Sequence, residues 1–267
     1  MMSDTTRYDE KEAQQTELIY ETPAAVKRRR RVREQLGVQP TDKVLSIGCG
    51  PGFEPAELAT SIHREGQGQI YGIDRSEAMH ALARARCADL PQVSLARADA
   101  VDLPLADETI DAAACVQVLR YVEEIRTALE ELFRVLRPGG RAVIYDTDSD
   151  LLVWHSSNRE RMQHVLEAAE YRCPWPHLGS QLASFLRDTD TDVTIERVEP
   201  NTILNTQLKQ DTFASQLIPL FKDHAAMHDE LGPQKANAWS EDLYELDRAG
   251  RTFFSFTQHL YIIRKPE

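Results

Sequence analysis

A chain of 267 residues with 42% hydrophobic and 28% charged residues can build one large α/β domain, and its composition excludes a fibrous repeat and wholesale disorder. The formal net charge of −12 repels nucleic-acid phosphates and anionic lipid at long range, so a small molecule becomes the default partner. No apolar run approaches the ~20 residues that cross a bilayer, the N-terminus has no apolar signal core, and Cys49, Cys87, Cys115 and Cys173 form no C-x-x-C pair, so the expectation is a cytoplasmic protein with free thiols and neither membrane insertion nor structural zinc.

Residues 1–18 are polar and without period, which predicts an arm. From 21 to 36 the pattern turns helical, with Ala25, Val32 and Leu36 on one face and Gly37 as the stop. Lys27, Arg28, Arg29, Arg30, Arg31 and Arg33 are read as the solvated face of that helix, because basic runs in acidic chains are usually solvated. Residues 1–36 thus form an arm and helix ahead of a main domain over 37–267.

Strands and helices then alternate. Apolar strands are predicted at 43–47, 69–73, 93–96, 110–118 and 141–145. Between them fall a helix at 55–63, with Pro55 in its first turn, and one capped by Ser76 that carries Met79, Leu82, Ala83, Cys87 and Leu90. A third places Ile125, Leu129, Leu132, Phe133 and Leu136 on one stripe before the stop Arg137-Pro138-Gly139-Gly140. This alternation predicts a doubly wound, mostly parallel α/β sheet with its ligand at the carboxyl ends of the strands. Beyond 145, helices are predicted at 158–171 and 180–187, a strand at 193–198, a helical segment at 206–248 and a last strand at 253–263. Residues 150–187 and 206–248 are read as helical lid insertions, the second lying before the last strand.

The junction VLSIGCGPG, residues 44–52, runs from a strand into Gly48, Gly50 and Gly52 and then a helix, so the backbone can turn tightly and approach a ligand. It is not a dinucleotide fingerprint, since the third glycine would fall at Phe53, and no Gly-Lys-Ser/Thr follows to make a P-loop. Asp74 ends the second strand about 20 residues on, where a carboxylate can accept from both ribose hydroxyls. Asp99 ends the third strand, placed for an adenine amine, with Ala100 adding a backbone amide. Two acids at consecutive strand ends beside a glycine loop point to adenosine.

With these motifs the chain resembles the class I S-adenosylmethionine-dependent methyltransferases over about residues 41–148. VLSIGCGPG is similar to their first motif, GID to the second, RADA to the third, IDAAACVQVLRYV to the fourth, and the helix ending LRPGG to the fifth. Within the class it looks like the ubiquinone and menaquinone biosynthesis branch. The resemblance implies a Rossmann-like, seven-stranded fold, S-adenosyl-L-methionine as cofactor, and methyl transfer to carbon, nitrogen or oxygen of a small molecule, by a monomer or homodimer. It places Ser46, Gly48, Cys49, Gly50 and Gly52 at the methionine end, Asp74 and Arg75 at the ribose, Asp99 and Ala100 at the adenine, and Gln117 under the cofactor. Where the family has an acid this chain has Ser46, and Glu54 is the candidate to replace its contact with the methionine amine. A nicotinamide oxidoreductase and a non-catalytic adenosine-binding module are the alternatives.

Methyl transfer from a sulfonium needs mainly alignment, which can supply about 7–11 kcal/mol. A base is required only where the acceptor's proton must leave early. Tyr121, Asp148 and His155 are the first candidates for catalysis, followed by Arg120, Asp146, Trp154 and Tyr20. No metal is expected: His224 and His228 lie four apart but lack the H-E-x-x-H glutamate and a third ligand. The apolar residues Phe213, Leu217, Ile218, Leu220, Phe221 and Met227 are the expected lid over the acceptor.

Overall fold

The computed structural model describes residues 10–62, 68–170 and 173–267. Its centre is a seven-stranded sheet ordered β3-β2-β1-β4-β5-β7-β6. The strands are β1 (Lys43–Ile47), β2 (Gln69–Asp74), β3 (Val93–Arg97), β4 (Ile110–Val116), β5 (Leu136–Trp154), β6 (Thr194–Asn205) and β7 (Phe254–Arg264). β1 to β5 run parallel, while β7 is antiparallel to both β5 and β6. The strand order reverses between β1 and β4, so the crevice predicted for a ligand opens there. This is the doubly wound α/β sheet expected, with an antiparallel final strand.

Nine α-helices surround the sheet among the described residues: α1 (Glu10–Glu21), α2 (Pro23–Leu36), α3 (Phe53–Leu58), α4 (Glu77–Arg86), α5 (Ile125–Val135), α6 (Arg159–Glu170), α7 (Leu178–Arg187), α8 (Phe213–Met227) and α9 (Gly232–Arg248). Local chemistry sets their ends. Thr22 caps α2 by accepting from Ala25 N–H, and Gly37 closes it at φ +60. Ser76 caps α4 by accepting from Met79 N–H. The stripe expected on α5 is buried, with Leu129 and Phe133 wholly enclosed against the sheet.

Three departures from the sequence reading matter for function. Much of the arm is a helix: α1 buries Ala13 and Ile19 and is tied down by ion pairs Lys11–Asp223 and Glu17–Arg86. Its order comes from tertiary contacts, which a search for amphipathic period does not detect; residues 1–9 lie outside those described. The basic run is not a solvated face either. Arg28 and Arg29 are 1% and 2% exposed, because they share a helical stripe with Ala25, Val32 and Leu36.

The third departure is β5, which was expected to stop at Tyr145 and instead extends through 150–154, read as the start of a helical insertion. Its pairing with β7 runs to Thr147–Gln258, breaks, and resumes at Leu152–Phe256. Residues 148–151 therefore bulge opposite Thr257 alone, a device that re-aims side chains beside sites. Beyond the bulge β5, β7 and β6 form a platform for α6, α8 and α9, and a second core fills the gap. Trp154 is its hub, with ring centroids 4.8 Å from Phe254 and 5.6 Å from Trp239, and Phe213 and Phe256 pack around them. Segment 206–248 is helical in two pieces, and it is a cap with its own core.

Candidate active site

The loop after β1 turns through Gly48, Gly50 and Gly52, all at positive φ. Two of them have separable roles. A Cβ on Gly52 would lie 2.7 Å from the Ala83 Cα of α4, whereas one on Gly50 would meet nothing within 4 Å. Gly52 is needed for helix packing and Gly50 keeps space open. Gly52→Ala is therefore expected to cost about 1–3 kcal/mol of stability by overpacking, read as a lower melting temperature. Gly50→Ala should lose chiefly cofactor affinity, with a smaller shift in melting.

Asp74, at the end of β2, anchors the same loop. One carboxylate oxygen accepts from Gly50 N–H at 2.8 Å and the other from Ser76 N–H at 2.8 Å. Burial raises its pKa, opposed by those two bonds. Asp99 pairs with Arg75 at 3.2 Å. Gly48, Gly50, Asp74, Arg75, Asp99, Ala100, Gln117 and Tyr121 line one cavity of about 730 Å³, its open mouth included. Of the cofactor set expected, Ser46, Cys49 and Gly52 are not among its lining residues. Ser46 is buried, Gly52 sits against α4, and the Cys49 thiol is buried with its pKa pushed up by desolvation and by Asp74. Cys87 and Cys173 are also shifted up by burial, and all four cysteines are free and enclosed.

Gln117 holds a left-handed backbone at φ +57, a strained conformation for a non-glycine residue. Its N–H donates to Tyr145 O at 2.7 Å, and its side-chain oxygen accepts from Arg28 Nη1 at 2.5 Å. The Arg28 guanidinium lies 5.1 Å from the Tyr20 ring and 5.6 Å from the Tyr145 ring, while its Nε and Nη2 are buried without a hydrogen-bond partner. Beside it Glu54 has a buried, unpartnered Oε1, and its pKa is pushed up to about 7 by burial, against the pull of Arg33, Arg28 and Arg29. Arg28 was missed in the sequence, although its position on the stripe of Ala25 and Val32 marks it as inward-facing.

A second cavity, about 900 Å³ with its mouth, adjoins the first and shares Thr16, Tyr20, Gln117 and Tyr121 with it. Tyr121 thus lies at the junction, as a residue acting on both ligands must. Asp148 does not line either cavity: its carboxylate is buried 3.5 Å from His177 Nδ1, and the neighbouring Ser149 is the residue the bulge presents to the second cavity. His155 is exposed beyond the second core, donating its N–H to Phe253 O, and lines neither cavity. Trp154 belongs to the second core, and Asp146 is buried behind Arg120, its pKa raised to about 6 by desolvation. Leu217, Leu220, Phe213 and Phe221 do wall the second cavity, whereas Met227 is exposed.

Residues 45–144 match the model of a methyltransferase domain family. Curated relatives include a 2-phytyl-1,4-naphtoquinone methyltransferase of Synechococcus elongatus, 40% identical over 40% of this chain and 47% of that protein. A demethylmenaquinone methyltransferase of Staphylococcus aureus is 34% identical over 46% of this chain and 51% of that one. The chain spans about half the length of these relatives, or less. Among solved structures, a phosphoethanolamine N-methyltransferase of Haemonchus contortus in complex with S-adenosyl-L-methionine covers 99% of this chain and 59% of its own, at 17% identity and TM-score 0.64. A [4+2]-cyclase, SpnF, covers 91% of this chain and 81% of its own, at 23% identity and TM-score 0.56.

Proposed function

We propose that this chain, whose residues 45–144 are a methyltransferase domain related to those of quinone methyltransferases, transfers a methyl group from S-adenosyl-L-methionine to a small-molecule acceptor. A neighbour named as a cyclase has the same fold, so the fold by itself does not carry the reaction. What carries it is the pair of cavities meeting at Gln117 and Tyr121, the first walled by the glycine loop, Asp74 and Asp99. One cavity suits an adenosine and the other a second reactant, within reach of the same residues.

The residues present fit the cofactor. Asp74 retains lone pairs for ribose hydroxyls, Asp99 and Ala100 border the base, and Gly50 leaves room for close approach. The methionine end needs a cation for its carboxylate and an anion for its ammonium, and Arg28 and Glu54 are the buried polar groups left unpartnered near the loop. Glu54 thus takes the place of the acid that Ser46 lacks. Bound there, the cofactor supplies an activated methyl on sulfur. Tyr20, Gln117 and Tyr121 would position the acceptor and exclude water from the junction.

Glu54 gives this reading a pH signature. Its folded pKa of about 7 exceeds the ordinary 4.5, so the ligand-free protein binds this proton more tightly than the unfolded chain does. The associated stability is full below the unfolded value and is lost as pH rises through about 7. An ammonium bound to the carboxylate reverses the preference, so cofactor binding should release the proton. Affinity for S-adenosylhomocysteine should rise with pH, by up to about tenfold per unit below 7 and little above it. Calorimetry from pH 5.5 to 8 checks this, and Glu54→Gln should flatten the profile.

The activity itself is tested by incubating the protein with S-adenosylmethionine carrying a labelled methyl group and a panel of small acceptors. Label transfer with formation of S-adenosylhomocysteine is the expected result. Tight binding of NAD(P) with none of S-adenosylmethionine would overturn the reading in favour of an oxidoreductase.

A further inference from the structure

The second cavity is divided by polarity. Ile19, Leu166, Leu217, Leu220 and Phe221 give it an apolar wall, and Arg120 and Ser149 mark its polar end. Arg120 is 8% exposed. Its Nη1 donates to Thr147 Oγ1, its Nη2 reaches Ser149 Oγ at 3.4 Å, and its Nε is buried with no partner. Among the described residues no carboxylate comes within ion-pair distance of this guanidinium; Asp146 behind it spends its oxygens on the backbone N–H groups of Arg120 and Thr147.

A buried cation facing a cavity with an unused donor is costly unless a ligand meets it. The charge count then limits the ligand. Arg120 is the only arginine or lysine among the lining residues, and Glu170 stands on the same wall. One oxyanion can be compensated there, whereas a phosphate dianion or a diphosphate would be left with uncompensated charge against Glu170.

Resting on the methyltransferase reading, we propose that the acceptor is a singly charged anionic amphiphile, with its carboxylate, phenolate or enolate oxygen on Arg120 and its apolar body against α8. The apolar part lies under Leu217, Leu220 and Phe221. Tyr121, beside Arg120 in sequence and at the junction of the cavities, then borders the carbon or heteroatom next to the anionic group. Arg120 acts as a specificity residue.

The test uses the full chain saturated with S-adenosylhomocysteine and three probes of one shape: 2-naphthoate, the neutral 2-naphthalenemethanol and 2-naphthyl phosphate. Calorimetry should give an affinity for the naphthoate at least tenfold above both others. Arg120→Gln should remove that preference while leaving the alcohol within about twofold, and Phe221→Ala should weaken acid and alcohol alike. Equal or tighter binding of the alcohol or the phosphate by the unaltered protein overturns the proposal, even where Arg120→Gln fails to fold. Retention of the preference in a folded Arg120→Gln protein overturns it too. Failure of the protein to bind S-adenosylhomocysteine at the outset is a separate result, which counts against the cofactor reading.

Discussion

Asp74→Ala is expected to weaken S-adenosylhomocysteine binding by about 1.5–3 kcal/mol, roughly 10- to 150-fold, the scale for hydrogen bonds to a charged group. The geometry gives two reasons for a loss at the upper end. A carboxylate has about four acceptor positions, and this one uses one on each oxygen for Gly50 and Ser76. The two that remain match the two hydroxyls of a ribose. Removing the group therefore frees the loop at Gly50 as well as deleting the ribose contact. Asp74→Asn separates these contributions, because its amide nitrogen would confront a backbone donor. It should bind the cofactor no better than alanine does, whereas Asp74→Glu should recover part of the affinity. Calorimetric titration at fixed pH measures all three, and full affinity in Asp74→Ala would show that the ribose lies elsewhere.

The largest effect on stability is expected at the second core. Trp239 is wholly buried, and its indole packs on Trp154 while its N–H reaches Met162 Sδ at 3.4 Å. Trp239→Ala should cost about 3–5 kcal/mol, the range for deleting a large buried aromatic. Phe213 and Phe221, both on α8, test whether this cap is structural or a lid. Phe213 is 3% exposed and belongs to the core, so Phe213→Ala should destabilise by a similar amount. Phe221 is only partly buried at the edge of the core and walls the second cavity. Phe221→Ala should raise the acceptor KM with cofactor affinity nearly intact. Denaturant melts together with steady-state kinetics on the folded fraction distinguish the two. Equal destabilisation by both changes, without a kinetic effect, would leave α8 with a packing role alone.

The parallel half of the fold was legible because each strand there is short, apolar and bounded by glycines or caps. Gly48, Asp74, Asp99 and Gln117 could be placed because strand ends converge at the reversal of strand order. What was not legible depends on contacts distant in sequence. Helix α1 is held by Asp223 and Arg86, more than sixty residues away, and its own pattern carries no amphipathic signal. The extension of β5 is stabilised by β7, over a hundred residues later. As a result Asp148 and His155 were judged by nearness in sequence to the fifth strand, while the bulge turns Ser149 to the cavity and sends His155 outside. Arg28 is a different case. Its helical position beside Ala25 and Val32 was readable, and the charge alone argued it outward. Charge is a poor guide where a cation has an anion to meet.

The burial of every cysteine has a further bearing on an enzyme that carries a methyl sulfonium. Such a cofactor is an alkylating agent, and thiolates are the protein nucleophiles most prone to capture it. Cys49 lies in the glycine loop and Cys87 just behind it, where its thiol reaches Gly52 O at 3.8 Å. Desolvation raises both, as it does Cys115 and Cys173, so each stays protonated and poorly nucleophilic at neutral pH. The chain is thereby passivated against methylating itself, and the reactive carbon is left for the acceptor.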